Sequence, residues 1–248
     1  MLGAAPQLAI STRGVGRPDP RAAIEWVRER GVRGIALDAT APGLRPRELS
    51  RSERRGIGST LRRLELTFVG VDLFIPPAHF TDPAHEQRAL DALCGAMALA
   101  ADLRALSDPS ARALVSTAMP EDLGDATARA IIDDADRHDA LVADHTPGAR
   151  ARSESLVVGV DPARVLTRGE SPAKAAATAH AHRLNDASGG SPVALGSGTG
   201  SLEVLAYAGA CAVAGASWIV VDLNGLRDPE TGAAGAIRAW ESGSLPGL

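Results

Sequence analysis

Residues 156–162 read Leu-Val-Val-Gly-Val-Asp-Pro. The run is apolar or small throughout, shows no alternation, and is stopped by Asp161-Pro162. A short strand with no polar face is buried on both sides, as in a parallel sheet covered by helices. Working outward, runs of the same kind recur at Leu8–Ser11, Val32–Ala39, Leu66–Ile75, Ala113–Thr117, Leu141–Asp144, His182–Asp186 and Trp218–Asp222. Between them lie segments of helical spacing: Pro20–Arg30, Arg47–Glu65, Pro83–Leu103, Asp125–His138, Pro172–His180, Leu202–Val213 and Gly232–Glu241. Only Gly148–Ser155 is too short, and too poor in apolar residues, for a helix. Eight strand–helix units in 248 residues match the roughly 250 residues of a (β/α)8 barrel. An open doubly wound sheet gives the same alternation, but the count of eight favours closure. No linker separates two domains. The predicted fold is α/β, a single (β/α)8 TIM barrel over residues 1–248, with the helix after the fifth strand short or missing.

Composition narrows the function classes. The net charge is −4 and aromatic residues make up 3%. There is no basic field for a nucleic-acid backbone and no set of stacking platforms, so no nucleic acid is expected as partner. Lys174 is the only lysine and sits in an Ala-rich helical pattern, which argues against Schiff-base chemistry. Cys94 and Cys211 lie in apolar helical stretches without metal-ligand spacing, as reduced thiols of a cytoplasmic protein do. Met1–Ile10 lacks a basic segment and a long apolar run, so no signal peptide is expected. Leu202–Val221 is long enough to span a bilayer, but Glu203 and Gly215-Ala216-Ser217 make it a helix followed by a strand, and no membrane contact is expected.

In a parallel barrel the reactive groups sit at the C-terminal ends of the strands. Here those ends offer Ser11, Asp38, Asp72 and then His79, Ser116 and Thr117, Asp144 and His145, Asp161 and Arg164, His182 with Arg183 and Asp186, and Asp222 with Asn224. Carboxylates converging on one mouth repel unless a cation, an arginine or a proton intervenes. One reading is a divalent metal held by Asp144, Asp161 and Asp222, with His145 nearby: Mg or Mn by oxygen ligation, Zn or Co if imidazole joins. The other is that these aspartates cap helices, anchor turns or pair with Arg164 and Arg183. Gly196-Ser-Gly-Thr-Gly200 reads either as a phosphate cradle or as a plain loop. The arginines between Arg45 and Arg63, interleaved with Glu48, Glu53 and Glu65, read as a solvated helix face.

The segments Gly34-Ile-Ala-Leu-Asp38, Val69-Gly-Val-Asp-Leu-Phe-Ile-Pro-Pro77, Leu141-Val-Ala-Asp-His145, Leu156–Pro162, Arg183-Leu-Asn-Asp186, Val193-Ala-Leu-Gly-Ser-Gly198 and Trp218-Ile-Val-Val-Asp222 follow one another in a familiar order. In that order and spacing the chain resembles the xylose isomerase-like barrel superfamily of sugar-phosphate isomerases and epimerases, related to endonuclease IV. The resemblance implies a divalent metal held by Glu on the fifth strand, Asp on the sixth, His on the seventh or just after the sixth, and Glu on the eighth. The two Glu would also be the acid/base pair next to a carbonyl. This chain departs from that pattern. Asp144 and Asp222 stand for the two Glu, Arg164 for the His after the sixth strand, and His182 or Arg183 for the His of the seventh. Asp is one methylene shorter, which withdraws each acid by roughly 1.5 Å.

The function this implies is sugar or sugar-phosphate isomerisation or epimerisation by metal-assisted proton transfer. Asp144 and Asp222 would be catalytic and would bind the metal with Asp161. His145, His182, Arg164, Arg183 and Asp38 would contact a small sugar-like substrate. The alternatives are a barrel that binds a ligand or partner without turnover, and a metal-free lyase on the same fold. A homo-oligomer is compatible with either.

Overall fold

Asp19 opens the first helix: its carboxylate accepts from the Ala22 N–H at 3.0 Å, and Pro20 occupies the first turn. Gly31, at φ 77°, lets the chain turn out of that helix into the next strand. The same grammar repeats around the molecule. The structure, a computed structural model, describes residues 5–17, 19–107 and 111–243. Residues 1–4 of the N-terminal segment lie outside it.

The strands are β1 (Gln7–Ser11), β2 (Gly34–Asp38), β3 (Thr67–Asp72), β4 (Ala113–Thr117), β5 (Ala140–Asp144), β6 (Leu156–Val160), β7 (Ala181–Leu184), β8 (Asp186–Ser188), β9 (Ser191–Val193) and β10 (Trp218–Val221). The helices are α1 (Pro20–Glu29), α2 (Arg51–Arg63), α3 (Glu86–Ser107), α4 (Asp125–Arg137), α5 (Pro162–Thr167), α6 (Pro172–Ala176), α7 (Val204–Val213) and α8 (Pro229–Gly243). Eight parallel strands close in the order β1-β10-β7-β6-β5-β4-β3-β2, while β8 and β9 form a separate antiparallel hairpin. The expected TIM barrel is therefore present. Among the described residues no helix is long and apolar enough to cross a membrane.

Two elements differ from the sequence reading. Asp161-Pro162 opens a short helix, α5, which the segments of helical spacing did not include; Asp161 caps it and proline suits its first position. The segment after β7 is a hairpin, turned at Gly189-Gly190 with φ of 56° and 80°.

No helix follows β5. The chain crosses from Asp144 to Leu156 as turns, pinned by Arg152 donating to the Leu123 carbonyl at 3.0 Å. Among the described residues, the amides of Gly148, Arg150 and Ala151 make no backbone hydrogen bond. They are expected to exchange with solvent orders of magnitude faster than Ile131 in the buried face of α4. Equal protection in a hydrogen-exchange experiment would contradict this account of the connection.

The main core lies between the barrel and its helices, with Ile10, Leu37, Val115, Val142 and Val221 facing Ile24, Leu61, Leu93 and Trp240. A different, smaller-residue set faces the barrel axis: Ala9, Ala36 and Val220 with Val69 and Trp218, and Ala143, Val157 and Ala181 with Leu114 and Leu141.

Candidate functional site

Side chains alternate along a strand, so the residues facing the axis fix what faces the mouth. Two positions beyond Ala9, Ala36, Leu114, Ala143, Ala181 and Val220 stand Ser11, Asp38, Ser116, His145, Arg183 and Asp222; beyond Val157 and Gly159 stands Asp161. Asp72 joins them through its bonds to Ser11 and Arg183. Each strand of the barrel thus delivers one polar side chain to the ring beneath the C-terminal mouth.

Arg183 is the centre of this ring and is 1% exposed. Its two terminal nitrogens fork onto the two carboxylate oxygens of Asp72, each at 2.8 Å, and Nε donates to Asp222 Oδ2 at 3.1 Å. Burial alone would favour a neutral guanidinium, but Asp72, Asp222 and Asp161 outweigh it and hold the pKa above its ordinary value. Ser11 donates to Asp72, and the Tyr207 hydroxyl donates to the Arg183 carbonyl at 2.7 Å, fixing the backbone of β7. Asp222 also receives Arg13 at 3.2 Å and the Asn224 N–H at 3.0 Å. Asp161 caps α5, accepts from the Asn185 amide at 2.8 Å and pairs with Arg164 at 3.3 Å. Over these groups lies the Phe74 ring, with the guanidinium carbons of Arg13, Arg183 and Arg164 at 4.5, 4.9 and 5.8 Å from its centre.

His145 points into the lumen over Gly159, where a Cβ would sit 2.5 Å from its Nε2. Burial drives its pKa well below the ordinary value, and Arg183 and Arg164 push the same way. The backbone of Val160 is the one polar neighbour acting against this, and neither ring nitrogen has a hydrogen-bond partner of good geometry. Asp38 also faces the axis. Burial raises its pKa, against the hydrogen bonds from the Thr40 N–H at 2.9 Å and hydroxyl at 2.6 Å.

The structure separates two expected site residues from this ring. Asp144 is one position off the inward parity of Leu141, Ala143 and His145. Its carboxylate accepts from the Met119 and Thr146 N–H groups at 3.1 and 2.9 Å and serves the β5 turn. His182 neighbours the inward Arg183 and faces outward, where its Nε2 donates to the Ala176 carbonyl of α6 at 3.1 Å. The residues that the motif reading passed over are Arg13, Phe74 and Asn185. Arg13 was detectable as a cation just past the end of the first strand.

The donor set does not fit a divalent cation. Asp72 and Asp222 are taken by Arg183, Asp161 by a helix terminus and Arg164, and Asp144 is turned away. Among the described residues no three His, Cys, Asp or Glu are grouped so as to hold a metal ion. The residues just after the glycine-rich loop are likewise committed. Asp186 Oδ1 accepts from the N–H groups of Ala187, Ser201 and Leu202 at 2.8–2.9 Å. The anion at this loop is a carboxylate of the chain itself.

No protein-family model and no curated protein matches the chain. Solved structures do. A xylose isomerase domain protein from Planctomyces limnophilus is 13% identical over 96% of both chains, with a TM-score of 0.72. D-psicose 3-epimerase from Clostridium cellulolyticum H10 is 11% identical over 96% of this chain and 98% of that one, with a TM-score of 0.70. A xylose isomerase-like TIM barrel/4-hydroxyphenylpyruvate dioxygenase fusion protein is 15% identical over 95% of this chain, with a TM-score of 0.66; the chain spans only 42% of that protein. The fold is that of the xylose isomerase-like barrels, among which sugar epimerases are found.

Proposed function

With that fold as premise, we propose that the C-terminal mouth binds a small anionic, sugar-like molecule, a sugar acid or sugar phosphate, and does so without a divalent cation. The observation that carries this reading is the buried Arg183 guanidinium, clasped by Asp72 and Asp222 at the centre of the ring. A guanidinium neutralises converging carboxylates as a cation would, but it cannot dissociate and offers no exchangeable coordination position. Beside it a cavity of about 170 Å³ is bordered by Arg13, Arg164, Asn185 and Asn224, and by Asp161, Asp186 and Asp222, whose carboxylates are held by arginines or backbone amides. Arg13 and Arg164 retain 19% and 37% side-chain exposure, so their unused N–H groups are open to an anion. The Asn224 amide supplies a donor and an acceptor for hydroxyls, and Asn185, already bonded to Asp161 and the Ala163 N–H, adds its second N–H. The sugar character rests on the fold's epimerase relatives. In this reading Arg164, Arg183, Asp161 and Asp222 keep binding or positioning roles, and Asp144 and His182 support the surrounding backbone.

A second reading is favoured by one observation, the neutral His145, whose buried ring nitrogens have no hydrogen-bond partner of good geometry among the described residues. A neutral imidazole can take a proton beside a carbonyl, which would make the barrel a metal-free isomerase or epimerase of the same ligand.

Thermal melts with gluconate, fructose 6-phosphate, uncharged fructose and Mn²⁺ test the proposal. At a hundredfold excess over Kd a ligand adds about 2.7 kcal/mol, or roughly 5–10 °C for a chain of this size. One or both anionic sugars are expected to give a shift of that order, fructose and Mn²⁺ little or none, and Arg164→Ala should remove it. A shift with Mn²⁺ that EDTA reverses, with none from either anion, overturns the proposal. Conversion of the bound sugar, followed by NMR and lost in His145→Gln, selects the catalytic reading.

A further inference from the structure

Below the ring, the barrel axis is not filled. A cavity of about 410 Å³ is lined by Val69 and Leu114 on one wall and by Ala181 and Val220 on the other. In the closed strand order β3 lies across from β7, and β4 across from β10, so this space sits on the axis. Its rim is formed by the segments 177–180 and 214–217 that lead into β7 and β10, which puts its entrance at the N-terminal end, opposite the mouth. Barrels of this class pack their axis with layers of Val, Ile and Leu. Here Ala9, Ala36, Ala143 and Ala181 take such positions and do not reach across.

Polar groups look into the same space. Ser116 is 5% exposed, lines the cavity, and has no hydrogen-bond partner for its hydroxyl among the described residues. Arg183 forms the roof beside it. A guanidinium has five N–H donors, and three of them serve Asp72 and Asp222, leaving two. A buried donor without a partner is costly, and a ligand acceptor relieves that cost.

We propose that this axial cavity is a binding site, separate from the mouth, for a small apolar molecule carrying one hydrogen-bond acceptor. The walls of Val69, Leu114, Trp218 and Val220 select an apolar body. The Ser116 and Arg183 donors select a ketone, ester or alcohol oxygen at its tip. Asp72 and Asp222 already balance the Arg183 charge, so a neutral acceptor is preferred over a carboxylate. The volume of about 410 Å³ exceeds the roughly 150 Å³ that accommodates benzene and lies within the ordinary range for ligand pockets. A mono- or bicyclic ring therefore fits.

Isothermal titration of the whole chain with 1-tetralone, and with tetralin as the acceptor-free control of the same shape, tests the site. The ketone is expected to bind at least tenfold more tightly than tetralin, and Ser116→Ala should bring the two within about threefold of each other. Ala181→Leu, which fills the axis, should abolish binding of both; if that variant does not fold, Val69→Phe on the opposite wall makes the same test. Absence of heat and of thermal shift with either probe on the wild-type chain overturns the proposal. Binding that persists unchanged in the folded axis-filling variant overturns it equally.

Discussion

Arg183→Ala is expected to lower the melting temperature by roughly 6–20 °C. The substitution leaves Asp72 and Asp222, each almost wholly buried, without the guanidinium that holds them. Breaking a buried pair by removing one partner costs about 3–5 kcal/mol, and each kcal/mol moves the midpoint by about 2–4 °C in a domain of this length. The loss is one of charge balance, so it should be reparable. Adding Asp72→Asn to Arg183→Ala should recover part of the midpoint, because it removes one of the stranded charges. The single variant should also gain what the wild-type chain lacks, a thermal response to Mn²⁺, since Asp72 then has no cation and Asp222 keeps only Arg13 at 3.2 Å. Calorimetric scans with and without Mn²⁺ check both statements. A midpoint within about 2 °C of wild type would mean that Arg183 is not the counter-charge of the ring.

Acid is expected to destabilise the protein well before its carboxylates titrate. His145 and His182 are buried, and burial lowers both pKa values, further for His145. In the unfolded chain each returns to about 6.5. Below that pH the unfolded chain binds more protons, so stability is complete above pH 6.5 and falls as the pH drops through it. The slope approaches about 1.4 kcal/mol per pH unit for each histidine, until the pH reaches that group's folded pKa. Between pH 7.5 and 5.5 the pair therefore removes up to about 2.7 kcal/mol. Asp38 and Asp144 act in the opposite sense: burial raises both, so their neutral forms favour the folded state as the pH approaches the ordinary carboxylate range. The acid limb should accordingly be steep first and flatten later. Urea unfolding at pH 7.5, 6.5 and 5.5 measures it, and His145→Gln should remove half or more of the slope. Stability that does not change across that interval would contradict the buried-neutral assignment.

The barrel was legible in the sequence because its signal is local. A strand buried on both faces is a short unbroken apolar run, and β4 at Ala113–Thr117 was readable to the residue. The same feature hid the site. An unbroken run carries no alternation, so nothing in it says whether Asp144 or His145, His182 or Arg183, faces the axis, and a one-residue slip exchanges them. The pairing that organises the mouth, Arg183 with Asp72, joins residues 111 apart, and only closure of the barrel brings them together. The hairpin of β8 and β9 was a different case. Gly189-Gly190 is a two-residue turn signal, but the polar residues around it lack the apolar alternation that marks a strand.

The loop held by Asp186 has a competitive consequence for anions in solution. Its amides face a partner tethered to the same chain, present at an effective concentration of order millimolar or above. Free phosphate must displace that carboxylate before it meets the Ala187, Ser201 or Leu202 N–H, and it pays the like-charge repulsion of doing so. The side-chain-free Gly200 keeps the tether short, since a Cβ there would collide with the Asp186 carboxylate. The end of the segment between β9 and α7 is therefore self-quenched at Ser201 and Leu202, a joint locking the loop onto the start of β8.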